Sequence, residues 1–174
     1  MVTKMKVTAQ DSIYFDGRLV TNGKWAALAD FVQLSDKGLQ ALIDSGTHFQ
    51  RVSGNLTIGD EGPDTARVFV GEVNEADRLT FTGLALDVHD NYTGYKCQVW
   101  KHPSGRLVVV AETCAALLDG AEEVYQGNGA RAVACYCVKP GDPITRELVA
   151  VVMPMGDRAA VDARAAIVKA AEGI

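Results

Sequence analysis

The chain has 174 residues, of which 48% are hydrophobic and 22% are charged, and its formal net charge at pH 7 is −5. These values are typical of a globular protein and exclude a collagen, a low-complexity chain and an acidic disordered tail. The negative net charge also argues against a dedicated duplex DNA-binding protein, which usually carries a basic face.

The N-terminal residues predict short strands and one tight hairpin. Residues 5–9 are expected to form the first strand. Asp16 and Gly17 then separate two short apolar runs. Because both positions of a two-residue turn favour positive φ, an Asp-Gly pair in this context predicts a hairpin.

Apolar residues at helical spacing predict three or four helices. The first is indicated by Trp25, Leu28, Ala29 and Val32, which recur at i, i+3, i+4 and i+7. The other predicted helices begin at Ser35, Thr113 and Asp157, the first two of which act as N-caps, and end near Gly46, Tyr125 and Ala171.

Beyond the second predicted helix the hydrophobic period changes to two, which is typical of strands. Hairpins are predicted over residues 48–58, 67–88 and 95–112, each with a polar turn between apolar runs. Two more strands, 131–138 and 147–153, flank a turn that contains two prolines. Since hairpins in series build an antiparallel sheet, the sequence predicts an α+β fold: mainly antiparallel sheet packed by three or four helices.

No stretch rich in Pro, Ser or Gly divides the chain. Residues 1–174 are therefore expected to form a single domain, with two lobes that meet near residue 90 as the alternative. Four cysteines in a chain long enough to bury a core predict free thiols rather than a disulfide scaffold. No signal peptide or membrane span of ~20 apolar residues is visible, so we expect a cytoplasmic location and no membrane partner.

The stretch 92–106 has the composition of a binding surface, because it interleaves aromatic side chains with cations and contains no acid. The candidate binding residues are Tyr92, Tyr95, Lys96, Trp100, Lys101, His102 and Arg106. Aromatic side chains and arginine are typical anchors of protein interfaces, and they also stack on bases and contact phosphates. The competing interpretation is an ordinary half-buried strand that ends in a solvated turn.

Two patterns would fit an enzyme. Asp87 and His89 fall on one face of a predicted strand and, with Asp90, have the chemistry to hold a metal ion. Cys114 follows Thr113 at a predicted helix N-terminus, where the helix dipole lowers a thiol pKa and a nearby histidine would complete a nucleophile. Each pattern also has a structural explanation, namely a strand that runs into a polar turn and a cysteine buried as a small hydrophobic residue.

Two further patterns are less specific. Cys135 and Cys137 share a strand face but lack the knuckle spacing of a structural zinc site. Residues 60–77 contain six acids against the single base Arg67. Such a segment is typical of a solvated loop with a protected sheet edge, and it would also attract a basic partner.

The chain lacks the sequence motifs of phosphate loops, dinucleotide-binding folds and serine hydrolases. We therefore expect a non-enzymatic binding or regulatory protein that acts through a surface hairpin, as an inhibitor of a host or partner protein. A protein partner or self-association into a homo-oligomer is expected, nucleic acid is disfavoured, and no cofactor or metal is predicted. Two alternatives stay open: a small hydrolase or transferase that uses Asp87, His89 and Asp90 or the Cys114 thiol, and a weak single-stranded nucleic-acid binder.

Overall fold

The computed structural model describes residues 5–7, 12–59, 69, 73–89, 94–126, 132–139, 141–154, 165 and 169. These residues form thirteen strands and two α-helices. The strands are β1 (Met5–Val7), β2 (Ser12–Phe15), β3 (Leu19–Thr21), β4 (Trp25–Leu28), β5 (Val32–Leu34), β6 (Phe49–Val52), β7 (Asn55–Ile58), β8 (Thr80–His89), β9 (Gly94–Lys101), β10 (Leu107–Ala111), β11 (Glu123–Gln126), β12 (Val133–Lys139) and β13 (Asp142–Val152). The helices are α1 (Lys37–Asp44) and α2 (Glu112–Asp119), and a 3-10 turn covers Glu75–Asp77.

The strands are arranged in three sheets. The largest is antiparallel throughout, in the order β11-β12-β13-β4-β3-β2-β6-β7. A second antiparallel sheet has the order β10-β9-β8, and β1 pairs with β5 in parallel. A bridge between Arg78 and Tyr125 places the residues before β8 beside β11. The smaller antiparallel sheet therefore continues from the β11 edge of the larger one.

The hairpin predicted at this point is confirmed by the pairing of β2 with β3. Its two central residues are Gly17 and Arg18 rather than Asp16 and Gly17, because Asp16 donates its backbone N–H to the Leu19 carbonyl at 3.2 Å. Asp16 orders the turn, because its Oδ1 accepts the backbone N–H of Arg18 at 2.9 Å and that of Leu19 at 2.6 Å. Gly17 has a φ of +92°, and a Cβ at that position would lie 2.5 Å from His48 Nε2. Only glycine fits both the backbone conformation and the available space.

The hairpins predicted over residues 48–58 and 95–112 are also confirmed, as β6–β7 and β9–β10. Of the hairpin predicted over residues 67–88, only β8 and the residues close to it can be compared, because residues 67–68 and 70–72 lie outside the described chain. The turn predicted over 139–143 is tighter than expected, since Lys139 and Asp142 are already paired.

The helix predicted over residues 25–32 is wrong. This segment forms β4 and β5, and a turn lies between them in which the Phe31 N–H donates to the Leu28 carbonyl at 2.9 Å. β4 lies between β3 and β13 and pairs with both. The apolar residues of two short buried strands and the turn between them fall at helical spacing by coincidence. Pairing of β4 with a strand on each side stabilises the extended conformation instead.

The second helix is confirmed with a shifted N-cap. α1 begins after Asp36, not Ser35, and the Asp36 Oδ1 accepts the Leu39 N–H at 3.0 Å. This backbone hydrogen bond is the main reason that the pKa of Asp36 is lowered. Arg51 on β6 also bonds the Asp36 carboxylate at 3.2 Å, which joins the start of α1 to the large sheet.

The third predicted helix is shorter than expected, with 8 residues. α2 ends at Asp119, and the last residues of the predicted helix belong to β11, which pairs with β12. Its N-cap is Ala111, without a side-chain hydrogen bond, rather than Thr113. The helix predicted over residues 157–171 lies outside the described residues except for Ala165 and Lys169, both of which are helical.

The predicted fold class is therefore wrong in its helix content. The described residues are mostly antiparallel strand, with two helices instead of the three or four expected. One hydrophobic cluster joins both antiparallel sheets and both helices; it includes Phe15, Trp25, Leu39, Trp100 and Leu117. Within the described parts of the chain, no helix has the length and the apolar character that crossing a bilayer requires.

Candidate functional site at the β9–β10 hairpin

The β9–β10 hairpin lies at the centre of the predicted binding stretch, and its tip is a compact turn. The His102 N–H donates to the Arg106 carbonyl, and the Gly105 N–H donates to the His102 carbonyl, both at 2.9 Å. Gly105 has a φ of +88°, which favours glycine at this position. The turn is thus set by its own backbone.

A chain of side-chain hydrogen bonds ties this tip to the 3-10 turn. His102 Nδ1 lies 2.8 Å from Ser104 Oγ, and His102 Nε2 lies 2.9 Å from Asp77 Oδ1. The Ser104 backbone N–H also donates to Nδ1, at 3.1 Å. Since an amide N–H can only donate, Nδ1 accepts in the neutral ring and Nε2 carries the proton that is donated to Asp77.

His102 is buried whereas Ser104 is exposed. The imidazole is thus held in one orientation and one tautomer by a carboxylate on one side and a backbone amide on the other. The sequence named His102 as an exposed binding residue, and the structure instead makes it the link between two loops.

Trp100 also differs from its predicted role. It is 8% exposed and packs in the main core cluster with Val108 of β10. The Phe81 ring on β8 lies against it, with 5.2 Å between ring centroids and 39° between planes. Phe81 itself is 43% exposed, so it covers Trp100 and is the aromatic side chain that meets solvent.

β8 bulges next to Phe81. Phe81 is opposite Trp100 and Ala85 is opposite Gln98, so four residues on β8 span the distance of two residues on β9. Gly83 has a φ of +78° in this bulge. The bulge leaves Leu84 exposed beside Phe81, and bulges of this kind commonly redirect side chains at functional edges.

The exposed cations lie at the hairpin tip and along β9. Lys96, Lys101 and Arg106 are all exposed. Lys96 is opposite Asp87 in the strand register, so these two charges offset each other. Arg106 bonds the neutral Gln126 side chain, and no described residue forms an ion pair with Lys101 or Arg106. Within the described part of the chain, these two cations at the tip are therefore without an ion-pair partner.

A polar cluster on β11 and β13 flanks the tip. Arg146 bonds both carboxylate oxygens of Glu123, and this contact is the main reason that the pKa of Glu123 is lowered. The buried Tyr125 hydroxyl lies 3.1 Å from carboxylate oxygens of both Glu75 and Glu123. Burial first, and then these carboxylates, raise the pKa of Tyr125 to about 12. The cluster fixes the 3-10 turn, and with it Asp77, against the large sheet.

The remaining predicted binding residues are only partly covered. Tyr92 lies outside the described residues, and Tyr95 is described as part of β9 without its side chain. The predicted metal site is also only partly covered by the described residues. Asp87 is exposed on β8, His89 is described only as part of the strand, and Asp90 lies outside the described residues. Among the described residues, no three His, Cys, Asp or Glu side chains gather as metal ligands would.

The cysteines proposed as a nucleophile or as zinc ligands are buried. Cys114 is buried in α2, and burial raises its pKa, which is opposite to the lowered pKa expected at a helix N-terminus. Cys135 and Cys137 share the core-facing side of β12, as predicted. Burial raises their pKa values as well. The thiolate needed for nucleophilic attack is therefore disfavoured at all three positions.

From the sequence, Asp77 was only the last acid of the segment 60–77, which would attract a basic partner, and neither Phe81 nor Ser104 was a candidate site residue. The spacing of His102 and Ser104 across a Pro-containing turn was a local signal, because a side chain that accepts the i+2 amide is common in turns. The contact with Asp77 spans 25 positions and left no pattern in the sequence. Comparison with protein-family models, with curated proteins and with solved structures finds no match to this chain.

Proposed function

We propose that the chain is a binding protein whose contact surface is the exposed edge of the β8–β9 pair together with the β9–β10 tip. The observation that carries the proposal is the half-exposed Phe81 ring stacked on the buried Trp100. An aromatic side chain that is held by the core but open to solvent is the kind of anchor on which protein interfaces depend. Its position is preorganised, so little entropy is lost when a partner covers it.

The partner is inferred to be a protein that presents acidic groups around an apolar side chain. Phe81 and Leu84 supply exposed apolar area, and Lys101 and Arg106 supply two exposed cations at the tip that form no ion pair with a described residue. This local charge opposes the net charge of the whole chain, which is −5. Charge complementarity of this kind speeds association and selects the partner, while the apolar anchor provides most of the affinity.

Single-stranded nucleic acid fits this surface less well. Base recognition without sequence preference needs several accessible aromatic faces along a basic groove. Trp100, the larger predicted stacking residue, is buried. Phe81 alone offers an exposed ring among the described aromatic residues of this surface, so a nucleic acid is kept as an outcome of the test.

The finer assignments also remain proposals. We infer that binding regulates or inhibits the partner. A cytoplasmic location is supported by the four cysteines, which are free thiols and buried. Self-association is treated as one result of the binding test.

The test is capture from nuclease-treated host-cell extract by the immobilised wild-type chain, followed by affinity measurement on the purified partner. The two variants compared are Phe81→Ser and Leu56→Ser, since Leu56 is 50% exposed on β7, far from the tip in the strand order. Phe81→Ser should weaken binding of the partner by at least about 10-fold, as expected for an anchor residue. Leu56→Ser should leave the affinity unchanged.

Salt dependence completes the test. The Lys101→Glu and Arg106→Glu variants should each lower the association rate and flatten its dependence on salt. Equal loss in the Phe81→Ser and Leu56→Ser variants would contradict the proposal. The proposal would also be contradicted if capture occurs in untreated extract and is lost after nuclease treatment, because the ligand would then be a nucleic acid. Capture of a second copy of this chain through another surface would contradict it as well.

A further inference from the structure

The hairpin tip also brings together three side chains with the chemistry of a reactive serine, and none of them is among the contact side chains named above. Ser104, His102 and Asp77 form one continuous chain of hydrogen bonds, with lengths of 2.8 Å and 2.9 Å. A hydroxyl beside a base that is oriented by a third group is the general arrangement of an activated nucleophile.

We propose that Ser104 is a nucleophile that accepts an acyl group from an activated ester or thioester. His102 is its base, and Asp77 is the positioning residue that holds the imidazole. This activity goes beyond the proposed binding function and does not depend on it, since neither Phe81 nor Lys101 takes part.

The geometry assigns each role. His102 donates its Nε2–H to the Asp77 carboxylate. The Nδ1 atom is then unprotonated, and its lone pair points at the Ser104 hydroxyl. The carboxylate also stabilises the imidazolium that forms when Nδ1 receives a proton. The base is buried and the nucleophile is exposed, so a donor in solution reaches Ser104 while His102 stays fixed.

The transfer is balanced in protons and bonds. Ser104 Oγ forms a bond to the carbonyl carbon of the donor, and its proton passes to His102 Nδ1. The bond from the carbonyl carbon to the leaving oxygen or sulfur then breaks. The leaving group takes the proton from Nδ1, which returns the imidazole to its neutral form and leaves an ester on Ser104.

Two features restrict the donors. The Ser104 amide N–H shares the Nδ1 lone pair at 3.1 Å, so the turn must relax as Nδ1 is protonated, and this slows the reaction. Ser104 is also exposed, so an acyl chain attached to it remains in contact with solvent. Donors with good leaving groups are therefore the expected class, because they need the least stabilisation of the developing negative charge.

The test uses a fluorophosphonate, which forms a P–O bond to a nucleophilic serine and releases fluoride, with p-nitrophenyl acetate as the acyl donor. Intact-mass analysis and peptide mapping of the full chain should give one adduct, on Ser104. Ser53 is the matched control, because it is an exposed serine in the turn of the β6–β7 hairpin. Ser104 should react at least about 10-fold faster than Ser53, as general base assistance implies.

Three variants test the nucleophile, the base and the positioning residue, and Ser53→Ala is their control. Ser104→Ala should abolish the adduct, whereas Ser53→Ala should not change it. His102→Asn keeps an oxygen where Nδ1 accepts the Ser104 amide but removes the base, so labelling should fall at least about 10-fold with the melting temperature retained. Asp77→Asn should slow labelling without changing its site and should change the dependence of the labelling rate on pH.

Two results would overturn the proposal. The first is equal labelling of Ser104 and Ser53, which would mean that exposure alone governs reactivity. The second is labelling of His102→Asn, or of Asp77→Asn should the former not fold, at the wild-type rate and with the wild-type pH profile. Either result would leave the hydrogen-bonded chain with a purely structural role.

Discussion

The β6–β7 and β9–β10 hairpins begin from similar sequence signals and end in different environments. Every residue of β7 is exposed, and β7 is the last strand of the large sheet. In β9–β10, by contrast, Trp100 is buried on one face and Val99 on the other. The end strand β7 therefore contributes no buried side chain, whereas β9, which lies between β8 and β10, is buried on both faces and holds side chains on which a site can be built.

The contrast extends to the turns. At the β6–β7 tip, Ser53 adopts a φ of +50° and Gly54 a φ of +81°. At the β9–β10 tip, His102 reaches across to Asp77, a residue 25 positions earlier. The first turn is held by backbone geometry alone among the described contacts, while the second is tied to the body of the molecule. Binding sites need the second kind of support.

The largest expected effect comes from removing the side chain that anchors β9. Trp100→Ala should lower the free energy of unfolding by about 3–5 kcal/mol, because a large aromatic group leaves a cavity in the core. Leu56→Ala on β7 should cost less than about 1 kcal/mol, since Leu56 is half exposed. Urea titration of both variants measures the difference. Equal losses would mean that the two hairpins are supported alike.

The next effect concerns the tie between the tip and the 3-10 turn. Asp77→Ala leaves the ring Nε2–H of the buried His102 without its acceptor. The free energy of unfolding should therefore fall by about 1–3 kcal/mol. Asp77→Asn retains an acceptor oxygen and should cost less. Chemical denaturation gives both values, and hydrogen exchange of the tip amides should increase only in Asp77→Ala. If neither measurement changes in Asp77→Ala, the hydrogen bond between His102 and Asp77 does not stabilise the tip.

Alkaline pH should weaken the polar cluster beside the tip. The pKa of Tyr125 is raised from 10.0 to about 12, so the folded state favours the protonated phenol. Its stabilising contribution is complete below pH 10.0 and is lost as the pH rises towards about 12. Unfolding free energies of the wild type and Tyr125→Phe, measured across this range, should show a steeper decline in the wild type. Parallel curves would contradict the raised pKa.

Acid should act on the same cluster through Glu123. Arg146 lowers the pKa of this carboxyl in the folded state. The stabilisation is therefore present above the unfolded value of 4.5 and is lost as the pH falls through the lower folded value. Arg146→Gln should flatten the loss of stability below pH 4.5. An unchanged acid profile in Arg146→Gln would show that Glu123 is held by something else.

The smallest effect lies in the β6–β7 turn. Ser53→Gly should stabilise the chain by up to about 1 kcal/mol, because glycine adopts positive φ without steric cost. Gly54→Ala should destabilise it for the same reason. Thermal melting of both variants gives the two signs. A destabilised Ser53→Gly variant would mean that the serine side chain contributes more than its strained backbone costs.

The sequence predicted the parts of the fold that depend on local geometry. The hairpins at residues 16–17, 48–58 and 95–112 were found because turn residues and alternating apolar residues report directly on backbone conformation. The order of the strands across the sheets followed from pairing over long separations, and no local pattern encodes it.

Both wrong helix predictions have the same physical cause. Residues 25–32 and 123–126 carry apolar side chains that suit a helix face and a buried strand equally well. Their neighbours decide the outcome: β4 is paired on both sides, and β11 is paired with β12. Short apolar runs are ambiguous by periodicity alone, and tertiary pairing overrides propensity.

The binding role of residues 92–106 stays a prediction, and the exposure of the candidate residues differs in part from what was expected. Lys96, Lys101 and Arg106 are exposed as expected, whereas Trp100 and His102 are buried. The residue that presents an aromatic ring to solvent is Phe81, on a neighbouring strand. Which of two stacked rings faces the solvent depends on the layer that covers β9, and a single strand of sequence carries no information about that layer.

The most direct test of the proposed binding surface is photo-crosslinking from each hairpin in the same extract. A photoreactive phenylalanine analogue is placed at position 81 in one protein and at position 56 in the other, since both native residues are exposed and apolar. The account predicts one protein crosslinked from position 81 and competed by the unmodified chain, with no such product from position 56. The same products from both positions, or a specific product from position 56 alone, would contradict it.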